Sequence, residues 1–136
     1  MVVDSVLGKK YKLNSSENFD NYMKKLGVGL VTRKVGNAVS PVVDLIKDGD
    51  QYVLSSSSTF KNTVIKFKPG EEFDQETPDG RKVKSVINID GNTLREVQTD
   101  PDSGKKTTID RTFAEDEIKM VMKVDDVEAV RIYKAQ

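Results

Sequence analysis

The sequence predicts an all-β protein, a ten-stranded antiparallel up-and-down β-barrel with a helix-turn-helix lid. From Pro41 onward, turn residues recur roughly every ten positions, as in "DGD" at 48–50, "PDG" at 78–80 and "DGN" at 90–92. Alternating runs such as "TVIKFK" and "VKSVINI" lie between these turns. Helical spacing occurs only in two short stretches near the front. This pattern is typical of a strand meander that follows a helix pair.

The predicted strands are short and each is joined to the next by a tight turn. With "KKYKLN" near the front as the first strand, they number about ten, and consecutive strands should pair antiparallel. An open sheet of this size would leave two exposed edges, so we expect closure into a barrel. A barrel with more than about eight strands is wider than side chains can fill. The sequence therefore predicts an internal cavity.

The first helix is predicted within "NSSENFDNYMKKLG". Residues 14–16 are candidate N-caps, and Gly27 ends the segment. The spacing of the apolar residues indicates about two turns. These apolar residues are Phe19, Tyr22, Met23 and Leu26.

A second helix should follow, weakened by Gly29 and Gly36 and closed before Pro41. Four valines should share one of its faces: Val28, Val31, Val35 and Val39. A DNA-reading role for the pair is not indicated, because Lys+Arg and Asp+Glu both number 22 and the net charge is zero. We expect no nucleic-acid partner.

The amino-acid composition excludes several kinds of functional site. The 136 residues include no cysteine and no histidine, which excludes disulfides, thiolate nucleophiles, imidazole bases and the usual zinc sites. No metal, cofactor or catalytic residue is indicated, and we expect a binding protein, not an enzyme. The length suits a single domain spanning 1–136. Because "MVVDSVLGKKYKL" lacks the pattern of a signal peptide and no apolar run approaches a membrane span, we expect a cytoplasmic protein.

Alternation along the last three strands predicts what lines the cavity. In "TTIDRTF" the inward face includes Arg111, in "EIKMVMKV" it includes Met120, and in "EAVRIYKAQ" it includes Arg131 and Tyr133. The short turns place Arg111 level with Ile118 or Met120, and Arg131 level with Met120. The two arginines should therefore lie two strands apart, on the order of 10 Å between backbones.

Two guanidinium groups in an apolar enclosure are costly unless an anion pairs with them. The arginine fork matches a carboxylate, and a phenol supplies one more hydrogen bond. The pocket thus suits a molecule with a long apolar body and one carboxylate. The alternative is an internal ion pair, because Glu96 should face inward diagonal to Arg111. An isomerase or hydrolase is a third reading, for which only Tyr133 and Glu96 are available.

The whole chain resembles the intracellular lipid-binding proteins, which comprise the fatty acid-binding proteins and their cellular retinoid-binding relatives. The resemblance rests on "KKYKLNSSENFDNYMKKL" at 9–26, with "LGVGLVTRK", "STFKNTVIKFKPGEEF" and "DGRKVKS". It implies a β-clam fold and an intracellular, noncovalent carrier of long-chain fatty acids. Tyr11 stands where most relatives have a tryptophan, a change expected to affect only packing.

The resemblance also implies roles for individual residues. The family's carboxylate-binding trio falls on Arg111, Arg131 and Tyr133, and the portal phenylalanine falls on Phe60. Retinol binders typically carry glutamines at the arginine positions, whereas retinoic acid binders keep the trio. A carrier of retinoic acid or another amphipathic carboxylate therefore remains the alternative. The further ligand-binding candidates are Phe19, Tyr22, Met23, Thr32, Pro41 and Met120.

Four basic residues lie on the predicted lid: Lys24, Lys25, Arg33 and Lys34. Each contributes about 1 kcal/mol near an anionic membrane, which suggests transient contact between the lid and such membranes. In the family, similarly placed residues form a nuclear-import signal in the folded protein, which suggests an additional nuclear location. We otherwise expect a monomer.

Overall fold

The computed structural model describes residues 2–136 and confirms the predicted architecture. A short 3₁₀ helix, Val3–Val6, precedes the first strand, and two α-helices, α1 and α2, follow that strand at Phe19–Lys25 and Leu30–Ala38. The ten strands, β1 to β10, are Lys10–Glu17, Val42–Asp48, Gln51–Ser57, Asn62–Phe67, Phe73–Glu76, Lys82–Asp90, Thr93–Thr99, Lys106–Phe113, Glu117–Val124 and Val127–Ala135.

The strands form one antiparallel sheet that curls into a nearly closed barrel. Its order is β4-β3-β2-β1-β10-β9-β8-β7-β6-β5, so the first and last strands pair with each other. The predicted pairing of β4 with β5 is wrong, because these two strands are the edges of the sheet. The connection between them is held elsewhere: the Gly70 amide donates to the carbonyl of Ile87 on β6, at 2.9 Å. The chain thus enters β5 already aligned with β6.

The end of the barrel opposite the helices is closed by the 3₁₀ helix, which the sequence pattern did not predict. Val3 and Val6 are buried there against Tyr11 and Leu45. The hydroxyl of Tyr52 donates to Oδ1 of Asp4 at 2.6 Å and ties the helix to the wall. These apolar contacts seal the barrel at this end and leave the cavity at the other.

The predicted N-caps of α1 are wrong, because residues 14–16 belong to β1. Ser15 and Ser16 pair with β10, and that ladder keeps the backbone extended. The helix begins after Asn18, whose φ of 62° lies in the left-handed region. The side-chain amide of Asn18 donates to the carbonyl of Glu128, at 2.9 Å, so this turn is fastened to β10.

The predicted apolar face of α2 is also wrong. Val31 is 77% exposed, Val28 is buried but precedes the helix, and α2 has no buried residue. The helix instead turns Thr32 and Gly36 toward the cavity. A side-chain carbon at Gly36 would lie 3.1 Å from Sδ of Met23, so glycine allows the two helices to approach closely. No helix within residues 2–136 has the length and apolarity that crossing a membrane requires.

The two lid helices are also joined by polar contacts. Oδ1 of Asp20 on α1 accepts hydrogen bonds from Nε of Arg33, at 3.2 Å, and from Nδ2 of Asn37, at 3.1 Å. At the end of α1, Nζ of Lys25 lies 3.6 Å from Oδ1 of Asp126 in the β9–β10 turn. The lid is therefore fastened to the barrel through α1.

Candidate ligand-binding site

The barrel encloses a cavity of about 500 Å³ beneath the lid. The side chains of β8, β9 and β10 face it in the predicted alternation, as the burial of these strands shows. Every candidate residue from the sequence lines this one cavity: Phe19, Tyr22, Met23, Thr32, Pro41, Phe60, Arg111, Met120, Arg131 and Tyr133. Their contact with a ligand stays a prediction.

The strand register places the two arginines as predicted. Met120 on β9 is the partner of Arg111 on β8 and also of Arg131 on β10. The methionine therefore lies between the two guanidinium groups along the wall. Its flexible thioether can adapt to the bulk of whatever occupies the space between them.

Arg111 is already paired within the protein. Its Nη1 lies 2.7 Å from Oε1 of Glu96, which is fully buried on β7. The second oxygen of Glu96 accepts from Nε2 of Gln98 at 2.9 Å. Glu96 lies opposite Ile109, two residues from Arg111 on β8, which confirms the expected diagonal placement. The internal ion pair that the sequence left open thus exists, and it involves Arg111.

Arg131 has no such partner. Arg131 is 7% exposed, and its Nε donates to Oγ of Ser16 at 3.0 Å. Its guanidinium carbon lies 4.0 Å from the centre of the Phe19 ring, a cation–π contact. Among residues 2–136, no carboxylate lies within ion-pair distance of it. Burial lowers the pKa of Arg131, with Tyr133 opposing the shift, and the guanidinium remains charged at neutral pH.

Tyr133 follows Arg131 on the same face of β10 and is 5% exposed. Its ring belongs to the apolar cluster at the closed half of the barrel, and it also lines the cavity. Within the described residues, its hydroxyl makes no hydrogen bond. The wall near Arg131 thus offers a free phenol in addition to the unpaired charge.

The lid and two turns line the cavity together. Phe60, in the β3–β4 turn, is 49% exposed although it also lines the cavity. The β5–β6 turn contributes Pro78 and Asp79. The role of Phe60 in a portal stays a prediction.

Two polar residues that line the cavity, Arg81 and Gln98, were not among the ligand-binding candidates from the sequence. Arg81 lines the cavity at the β5–β6 turn, where its Nε lies 2.6 Å from Oδ2 of Asp79. Gln98 lines it from β7 and orients Glu96. Alternation in "TLREVQT" puts Gln98 on the inward face with Glu96, and the cavity lining agrees with this placement. Arg81 directly follows the "PDG" turn at 78–80, where strand alternation does not indicate which way a side chain faces.

The fold and the cavity together define a class of protein. A barrel under a helical lid encloses a cavity with apolar walls, one unpaired buried guanidinium and a free phenol. Such a site can enclose an amphipathic anion without covalent chemistry. The described residues contain no group of three or more acidic side chains placed to hold a metal ion.

Comparison with known proteins identifies the family. Residues 7–136 match the model of the lipocalin / cytosolic fatty-acid binding protein family, and the chain belongs to this family. The muscle fatty acid-binding protein of Schistocerca gregaria is 49% identical over 99% of this chain and 100% of its own. Both the sequence resemblance and the expected fold are thereby confirmed.

Solved structures show the same architecture. A fatty acid-binding protein from Drosophila melanogaster brain tissue is 54% identical, with a TM-score of 0.89, and the match covers 96% of this chain and 99% of that one. A Schistosoma mansoni fatty acid-binding protein in complex with arachidonic acid is 44% identical, with a TM-score of 0.93, and the match covers 100% of this chain and 99% of that one. The likeness extends over essentially the whole barrel.

Proposed function

We propose that this protein is an intracellular, noncovalent carrier of long-chain fatty acids. The observation that carries the proposal is Arg131, a buried guanidinium that faces an apolar cavity with no acidic partner among residues 2–136. Leaving such a charge uncompensated is costly, and a ligand carboxylate would compensate it. The relatives named as fatty acid-binding proteins, one of them in complex with arachidonic acid, support the same ligand class.

In this proposal the two arginines have different tasks. The carboxylate binds directly to the terminal guanidinium nitrogens of Arg131 and to the hydroxyl of Tyr133, which make no hydrogen bond among residues 2–136, whereas Nε of Arg131 stays with Ser16. Arg111 acts at longer range, because Glu96 already holds it. The acyl chain then extends past Met120 and beneath the lid, along the side chains of Phe19 and Met23. Pro41 and Thr32 complete the wall, and Phe60 gates the portal.

A carrier needs no catalytic group, and the cavity offers few. Glu96 is the one buried carboxylate near the arginines, and both of its oxygens are engaged, by Arg111 and Gln98. It is therefore poorly placed to act as a general base. We infer that the ligand enters and leaves chemically unchanged, and that the protein works as a cytosolic monomer.

We propose that the lid takes part in delivering the ligand, although not all four of its basic residues carry an unpaired charge. Arg33 is paired with Asp20 and its side chain is 15% exposed, while Lys25 lies near Asp126. Lys24 and Lys34 are exposed, and no ion pair involving either occurs among the described residues. We propose that these two lysines supply most of the attraction to anionic membranes, and that the additional nuclear location depends on the same surface.

The experiment combines identification with a head-group comparison. The protein is purified from a cell, extracted with organic solvent, and its ligands are identified by mass spectrometry. It is then delipidated and titrated with oleic acid and oleyl alcohol. Mainly long-chain fatty acids in the extract, and a clear preference for the acid, would support the proposal. Retinoids in the extract would favour the retinoic acid alternative, and equal affinity for acid and alcohol would contradict a carboxylate site.

A further inference from the structure

Tyr22 lines the cavity as Tyr133 does, but its phenol is not part of the head-group site. The residue lies on α1, lines the cavity and is 5% exposed. Its hydroxyl makes no hydrogen bond within residues 2–136. These residues also contain no fully enclosed polar side-chain atom without a partner. The hydroxyl of Tyr22 therefore keeps accessible surface, and the cavity is the space that Tyr22 faces.

The position of this hydroxyl relative to the head-group site follows from aromatic stacking. The guanidinium of Arg131 lies 4.0 Å from the Phe19 ring, and the Phe19 ring stacks on that of Tyr22, with centroids 6.1 Å apart. Tyr22 is thus one ring beyond the residue that touches Arg131. A carboxylate held at Arg131 would place the body of its acyl chain, not its head group, near the phenol.

The neighbouring charges leave the phenol as a donor without an acceptor. Burial raises the pKa of Tyr22 to about 12, and of the nearby charges Arg81 and Arg111 lower it while Asp79 and Glu96 raise it. The group is therefore protonated at neutral pH. Neither carboxylate accepts a hydrogen bond from Tyr22: Asp79 binds Nε of Arg81 at 2.6 Å and Oγ1 of Thr77 at 2.7 Å, and Glu96 binds Arg111 and Gln98. An acceptor for Tyr22 has to come from the contents of the cavity.

We propose that the hydroxyl of Tyr22 forms a second polar subsite, which selects long-chain acids with an oxygen atom on the acyl chain. The class comprises hydroxy, epoxy and keto fatty acids, each of which presents an acceptor that a plain hydrocarbon chain lacks. The inference rests on the proposed function, since it assumes that the carboxylate lies at Arg131. A plain hydrocarbon chain offers the hydroxyl of Tyr22 no acceptor, so that only water can bind it, whereas an oxygen atom on the chain accepts its hydrogen bond.

The test compares oleic acid with ricinoleic acid, which is oleic acid with one added hydroxyl group at mid-chain. The affinity ratio of the two acids is measured by displacement of a fluorescent fatty acid from wild-type protein, Tyr22→Phe and Tyr133→Phe. A ratio cancels any general loss of binding. Tyr22→Phe should shift it about five-fold against ricinoleic acid, within the range of one net hydrogen bond. Tyr133→Phe is the matched control, because it removes a phenol from the head-group site, and it should leave the ratio unchanged.

The outcomes separate this inference from the proposed function. If wild-type protein binds oleic acid and Tyr22→Phe leaves the affinity ratio of oleic to ricinoleic acid unchanged, the subsite is overturned and the carrier function stands. Failure of the wild-type protein to bind oleic acid would overturn the carrier. A shift of the ratio by the same amount in Tyr22→Phe and Tyr133→Phe would also overturn the subsite, because the preference for ricinoleic acid would then not depend on Tyr22 in particular.

Discussion

Nη1 of Arg111 lies 2.7 Å from Oε1 of Glu96, and this carboxylate is fully buried. Arg131, two strands away, faces the same cavity with Ser16 and Phe19 as its contacts. The two arginines are therefore different groups, although the sequence makes them look equivalent. One belongs to an internal ion pair, and the other is available to an anion.

Arg131→Leu should weaken fatty acid binding by about 1.5 to 3 kcal/mol, the usual range for a hydrogen bond to a charged group. The alcohol of the same chain should lose much less, because it carries no charge to be compensated. Isothermal titration of both ligands measures the two losses. Equal losses for acid and alcohol would show that Arg131 serves packing and not the head group.

Glu96→Gln should lower the free energy of unfolding by about 3 kcal/mol, because it leaves Arg111 partly buried without its anion. Chemical denaturation of the ligand-free protein measures this loss. The double variant Glu96→Gln with Arg111→Met should recover part of it, since neither charge then remains. A double variant less stable than Glu96→Gln would contradict the pairing.

Tyr11→Phe should cost about 1 kcal/mol, because its hydroxyl donates to the carbonyl of Ala114 at 2.8 Å. This bond joins β1 to the β8–β9 turn and goes beyond the packing detail expected from the sequence. Thermal or chemical unfolding measures the loss. The control is Tyr133→Phe, whose hydroxyl has no protein partner, and which should be nearly neutral in the ligand-free protein.

Tyr22 should make stability fall at alkaline pH. Its pKa is raised from 10.0 to about 12 in the folded protein, so its contribution is complete below pH 10 and is lost as pH rises from 10 to 12. The total is about 2 to 3 kcal/mol, at about 1.4 kcal/mol for each pKa unit. Denaturation of wild-type protein and Tyr22→Phe across this range measures it. Parallel pH profiles for the two proteins would contradict a buried neutral phenol.

Changing Lys24 and Lys34 to glutamine should slow ligand transfer to anionic vesicles. Stopped-flow transfer from wild-type protein should accelerate with vesicle concentration and anionic lipid content, and slow with added salt. A control variant with Lys12→Gln and Lys119→Gln removes the same charge from exposed positions on the barrel wall. A wild-type rate independent of vesicle concentration would mean that the ligand first dissociates into water.

The number of strands, and the side chains of each strand that face inward, can be predicted from local sequence patterns. Alternation is a local property with a period of two residues, and frequent turns keep each strand short enough for the register to hold. Arg111, Met120, Arg131 and Tyr133 could therefore be assigned to one wall, and turn lengths placed Arg131 opposite Met120. The family resemblance added Phe60, which no alternation indicates.

The contacts of those side chains depend on how distant segments pack together. Glu96 was a candidate partner of Arg111 on a neighbouring strand, but its full burial and its bond to Gln98 follow from how the barrel closes. Arg131 meets Ser16 and Phe19 only because β1 pairs with β10 at the opposite end of the chain. The unpaired edges at β4 and β5, and the face that α2 turns inward, likewise depend on contacts between distant segments. Periodicity within one segment carries no information about such contacts, because they form only when segments distant in the sequence come together in the folded chain.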